Sequence, residues 1–129
     1  MSELEQRILK FLQDRDWDQL HPSDHAKSIS IEASELLEHF QWSHETIQEL
    51  AANPEKHAKV SGELADIMIY CLQMAILNNI DWQAEVTKKL DKIENKYPAE
   101  VFKTRQKAAG DSTYWEVKNA ARKKSQSEE

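Results

Sequence analysis

Helix breakers are almost missing from this chain: two glycines and three prolines in 129 residues. So few turn formers exclude the turn-rich all-β classes, and the abundance of Glu, Lys, Leu, Ala and Gln points to an all-α fold. Cysteine is equally scarce. Cys71 stands alone, which rules out an internal disulfide framework or a Cys-x-x-Cys zinc or redox motif and makes a reducing cytoplasm the expected location. Positive charge is the third deficit. With 17 Lys and Arg against 23 Asp and Glu, the net charge of −6 argues against a protein that coats a nucleic-acid polymer, while leaving open a nucleotide carried with a metal. Uninterrupted apolar runs are short as well, and the N-terminal "MSELEQRILKFLQDRD" is charged throughout, so neither a signal peptide nor a membrane span is expected.

What remains is helical periodicity. Ser2 with Glu5 reads as a capping box, and Leu4, Ile8, Leu9, Phe11 and Leu12 recur at helical spacing, predicting a first helix to about residue 16. Turn chemistry around Pro22 precedes a second helix over roughly 25–41. A short helix over 43–52 stops at Asn53-Pro54, because a residue before proline avoids the helical region. A third main helix follows over 55–78, and Asp81 caps a fourth that ends near Lys96. Together they make a four-helix bundle over 1–110. The extension over 111–129 should hold a short amphipathic helix, "YWEVKNAARKK", and a disordered "SQSEE". Within helix three, "IMIYCLQMAIL" (67–77) has only Gln73 as a clearly polar residue. A helix apolar nearly all round needs cover on every side, so a homo-oligomer is expected, with a central helix wrapped by its own chain as the alternative.

The acids are distributed against electrostatic convenience. Residues 28–55 contain Glu32, Glu35, Glu38, Glu45, Glu49 and Glu55 and no Lys or Arg; Glu63 and Asp66 lie in a second such window, 60–87. Like charges three or four apart cost a few tenths of a kcal/mol per pair when solvated and more when buried. At about 100° per residue, Glu63, Asp66, Ile67, Tyr70, Met74 and Leu77 share one stripe, and Glu32 and Glu35 border the stripe of Ile29, Leu36 and Phe40. Antiparallel packing of helices two and three would bring the two acid pairs together. Convergent carboxylates without His or Cys ligands suit Mg²⁺ or Mn²⁺, and Mg²⁺ commonly travels with substrate phosphates. The plain alternative is a solvated acidic face. A ferritin-like di-iron site fits poorly, because it wants Glu-x-x-His and here His39 follows Glu35 by four.

The words "E-x-x-E-x-x-E-H-F-Q-W" (32–42), "G-E-L-A-D-I-M-I-Y" (62–70), "K-Y-P" (96–98) and the upstream "RDWDQLH" (15–21) resemble the all-α nucleoside triphosphate pyrophosphohydrolases of the MazG type. They resemble most the small single-domain subgroup that includes dCTP pyrophosphatases and integron-associated relatives. The likeness spans roughly residues 5–105. It implies a Mg²⁺-dependent, homotetrameric house-cleaning hydrolase that splits a (d)NTP into the monophosphate and pyrophosphate. It further implies Glu32, Glu35, Glu63 and Asp66 as metal ligands, and Glu38 as a further ligand or as the group that orients water, a role Glu35 shares. Lys92 and Lys96, with Lys89 and Arg105 behind them, are implied for the phosphates, Trp17 and Trp42 for the base, and Tyr70 for sugar or phosphate. His21 and His39 are possible donors at the pocket edge. Relatives often carry an asparagine where Ile93 stands and a histidine where Ile8 stands, so preference for dCTP over, for example, dUTP is open. The rival from another class is a non-catalytic helical module whose acidic face binds a basic partner.

Overall fold

The computed structural model describes residues 1–103 and 113–128. Arg105 and the expected boundary at Gly110 lie outside them. Only helices and their connections occur among the described residues: α1 (Glu3–Gln13), α2 (Pro22–Glu38), α3 (Ile47–Ala51), α4 (Pro54–Leu77), α5 (Trp82–Lys96), α6 (Ala99–Lys103) and α7 (Thr113–Ser127). They divide into two units, Met1–Trp82 and Gln83–Glu129.

In the first unit, local chemistry sets each helix end. The expected capping box opens α1, with Ser2 Oγ accepting from Glu5 N at 3.2 Å and Glu5 Oε2 accepting from Ser2 N at 2.7 Å. α2 begins at Pro22, earlier than its apolar pattern predicts. Proline is at home in a first turn, where its missing N–H costs nothing, and Asp24 Oδ2 accepts from His21 N at 3.0 Å. The helix also ends earlier, at Glu38, where the chain tightens into a turn through His39 N to Leu36 O and Phe40 N to Leu37 O. Thr46 and Glu49 form a second capping box that delays α3 to Ile47. Asn53 caps α4 by accepting from Lys56 N at 3.1 Å. Asn79 closes that helix in the left-handed region with φ 53°, a conformation that asparagine tolerates.

α4 is the axis of this unit, packing chiefly against α2 and then against α1 and α3. His39 meets Glu63, Glu32 lies with Glu63 and Asp66, and His25 shares a cavity with Asp66, Tyr70 and Gln73. Partners on α4 thus move C-terminally as those on α2 move N-terminally, so the two helices run antiparallel, the arrangement under which the two acid pairs meet. The buried residues are Ile8, Leu12, Ala75, His25 and Gln73, whereas Leu64, Met68 (56 % exposed) and Ile69 of α4 stay open. By length and composition alone α4 is also long and apolar enough to cross a bilayer, although it carries Glu63 and Asp66 toward α2.

In the second unit Tyr97 stacks on Tyr114 at 5.4 Å with planes 10° apart and meets Phe102 edge-on. α6, not among the elements expected from the sequence, starts directly after Pro98. α7 continues through Ser127 and includes most of the segment expected to be disordered. Ser125 and Ser127 donate to the carbonyls of Ala121 and Lys124 at 3.1 and 2.8 Å, and Lys124 offers one of the acceptors that a helix end otherwise leaves open.

Candidate metal centre

Three acids meet between α2 and α4. Glu32, Glu63 and Asp66 each offer an oxygen within 4.8 Å of the other two. Glu63 and Asp66 are one helical turn apart on α4, and Glu32 faces them from the antiparallel α2. Glu35, one turn after Glu32, adjoins both Glu32 and Glu63. The Glu32 carboxylate beside it raises the Glu35 carboxyl above its ordinary value, first by hydrogen bonding and then by charge, with desolvation and Glu63 adding to the effect. Glu32 Oε2 is buried and has no hydrogen-bond partner. Among the described residues no Lys or Arg pairs with any of these acids. His39 Nε2 stands 3.3 Å from Glu63 Oε1.

These observations fit a hard divalent cation. Carboxylates supply only oxygen, three converge, and an orphaned buried oxygen such as Glu32 Oε2 calls for a partner that the chain does not provide. His39, at the end of α2, is set to orient Glu63 from behind in the way outer partners orient metal-bound groups.

Asp66 also lines a cavity of about 470 Å³ with Phe11, Trp17, Leu20, Asp24, His25, Ser28, Ile69, Tyr70 and Gln73. Trp17 is 49 % exposed and packs edge-on against Phe11 at 5.9 Å. Of the residues singled out in the sequence, Asp66, Trp17 and Tyr70 are brought to this one cavity, and Glu32, Glu35 and Glu63 to its acidic neighbour. Glu38 is exposed and stands outside the three-acid group. Trp42 is 91 % exposed and is not among the residues lining this cavity. Lys92 and Lys96 belong to the second unit, where they line a separate cleft of about 950 Å³ with Lys89, Tyr97, Tyr114 and Arg122. Two cavity residues, His25 and Gln73, escape the sequence reading as site candidates. The signal for His25 was its register with Ile29 and Leu36 on the apolar stripe of α2; for Gln73 it was being the one clearly polar residue in the stretch 67–77.

Among the described residues the chain is all-helical, with paired carboxylates facing each other across antiparallel helices. The MazG-like family model matches residues 27–111, and this chain belongs to that family. Among curated proteins it is similar to dCTP pyrophosphatase 1 of Mus musculus, 34 % identical over 91 residues covering 69 % of this chain and 54 % of the relative. It is 31 % identical over 99 residues to dCTP pyrophosphatase 1 of Homo sapiens, covering 74 % and 57 %. The chain therefore spans a little over half the length of the curated relatives it matches. Among solved structures it is similar to a pyrophosphatase from Archaeoglobus fulgidus, with a TM-score of 0.66, 36 % identity, and coverage of 74 % of this chain and 90 % of that one.

Proposed function

We propose that this protein is a divalent-cation-dependent pyrophosphohydrolase that converts a nucleoside triphosphate and water into the nucleoside monophosphate and pyrophosphate. One observation carries the reading: Asp66 belongs at once to the three-acid group and to the cavity lined by Trp17 and Tyr70. A single residue thus joins a cation site suited to a polyphosphate with a recess whose aromatic wall suits a base. The names of the relatives favour dCTP among the substrates.

Glu32, Glu63 and Asp66 would hold the cation, with Glu35 beside them. Bound there, Mg²⁺ or Mn²⁺ would neutralise phosphate oxygens and stabilise charge on the departing pyrophosphate. Glu35 accepts the proton of the attacking water, a role better suited to it than to Glu38, because Glu35 adjoins the acid group and Glu38 stands outside it. Trp17 stacks on the base and Tyr70, one turn from Asp66, contacts the sugar. A raised KM in Lys92→Ala or Lys96→Ala tests the phosphate role read from the sequence for those lysines.

A second copy of the chain, in a tetramer, covers the open Leu64, Met68 and Ile69 of α4. Apolar residues exposed on the helix that also carries the acids support an assembly. Sedimentation equilibrium is expected to report a multiple of 15.0 kDa, and a monomer at micromolar concentration would contradict it. The exposed, free Cys71 suits a reducing compartment such as the cytoplasm.

The deciding experiment is pyrophosphate release from a panel of (d)NTPs with and without Mg²⁺. Metal-dependent release is expected. No release by folded, metal-supplied protein would overturn the reading in favour of an acidic binding surface.

A further inference from the structure

His25 is 1 % exposed, and neither Nδ1 nor Nε2 has exposed surface or a hydrogen-bond partner. A neutral imidazole carries one donor and one acceptor, and buried polar groups in folded proteins are almost always paired. Nothing in the packing of α2 demands a histidine here. The position is in register with Ile29 and Leu36, where an apolar side chain of similar size would fill the space with no polar atom to satisfy. Among the described residues the chain supplies no partner, which leaves a water or a ligand in the adjoining cavity to provide one.

Location narrows what that partner is. His25 lines the cavity that Asp66 connects to the acid group, and Gln73, 5 % exposed, reaches the same cavity from α4. Around this pair stand Phe11, Trp17, Leu20, Ile69 and Tyr70. The other cavity acid, Asp24, already accepts from His21 N. A mostly apolar, aromatic recess with His25 and Gln73 in its wall suits a flat heteroaromatic ring with donors and acceptors on its edge.

We infer that His25, assisted by Gln73, reads the hydrogen-bonding edge of the substrate base and is a specificity-determining residue of this enzyme; the inference rests on the nucleotide reading above. Cytosine and thymine differ at that edge by exchange of an amine donor for a carbonyl acceptor. A site that matches one leaves buried polar groups unpaired against the other, and this is how polar pockets discriminate strongly.

The test is kcat/KM for dCTP, dTTP, dATP and dGTP in wild type, His25→Leu and His25→Gln, with Mg²⁺-induced thermal stabilisation measured alongside. His25→Leu is expected to lower kcat/KM for the preferred base by about tenfold or more, chiefly through KM, and to narrow its margin over the other bases. The Mg²⁺ stabilisation should persist, and His25→Gln should recover part of the margin. If His25→Leu does not fold, the margin in His25→Gln and Gln73→Leu decides in the same way. Metal-dependent release with an unchanged base preference and a higher Tm in His25→Leu would overturn this inference alone, since the histidine would then be an unpaired core residue. No release from any nucleotide by wild type would overturn the nucleotide reading and this inference with it.

Discussion

Two groups of acids in the first unit lie in stretches poor in Lys and Arg and end differently. Glu45, Glu49 and Glu55 find partners: Lys56 pairs with Glu45 and sits 4.9 Å above the Phe40 ring, Glu49 accepts from Thr46 N at 2.7 Å, and Lys59 pairs with Glu55 at 3.1 Å. The Lys56 ammonium, with Ser43, holds the Glu45 carboxyl below its ordinary value, and the Thr46 backbone N–H does the same for Glu49. Glu32, Glu35, Glu63 and Asp66 find mainly each other, and Glu35 is pushed upward instead. The first group ties a turn to a helix end. The second, in the proposed reading, is a half-site whose charges a cation would balance.

Changes to the second group should therefore act on chemistry and changes to the first on folding. The largest effect is expected for Asp66→Asn, which removes the residue shared by the acid group and the cavity. Pyrophosphate release should fall on the order of 10²–10³-fold, the usual cost of losing one electrostatic element of an active site. Next, wild type should melt higher with Mg²⁺ alone. Saturation at 100 times Kd stabilises by about 2.7 kcal/mol, roughly 10 °C for a chain of this length, and differential scanning fluorimetry should find this shift much reduced in Glu63→Gln.

Lys56→Met should lower Tm modestly while leaving the Mg²⁺ shift intact. Because the Glu45 carboxyl is lowered in the fold, its contribution is present above the unfolded pKa and lost as pH falls through the folded one. The gap between variant and wild type should close in acid, and melting curves across a pH series would reveal it. The smallest effect is the most diagnostic. Glu35 is raised in the fold, so the stability tied to its protonated form is present below the unfolded pKa and lost as pH rises through the folded one. Metal-free Glu35→Gln should thus melt slightly above metal-free wild type at neutral pH and equal to it in acid.

Much of this contrast was legible in the sequence because helix geometry is local. The i, i+3 spacing of Glu63 and Asp66, the lack of Lys and Arg over 60–87, and the Ser2–Glu5 cap all act within a few turns, and the antiparallel run of α2 and α4 is one the connection through α3 permits. Positions that depend on what a residue meets across the fold were harder. Pro22 and Asp24 start α2 three residues before its apolar stripe, and hydroxyl caps carry α7 past its last apolar residue. His25 looks in sequence like a turn-proximal polar residue and proves to be the most buried polar side chain described. Its importance lies in partners it lacks, and spacing alone does not report that.

The most direct test of the central claim is calorimetric titration of metal-free protein with Mn²⁺ and Mg²⁺, in wild type, Glu32→Gln and Asp66→Asn. The account predicts saturable binding by wild type and at least about tenfold weaker binding in each variant, in line with the loss of one carboxylate from a hard-cation site. No binding by folded wild type, or equal affinity in all three proteins, would contradict it and leave the acids between α2 and α4 without a cation to explain them.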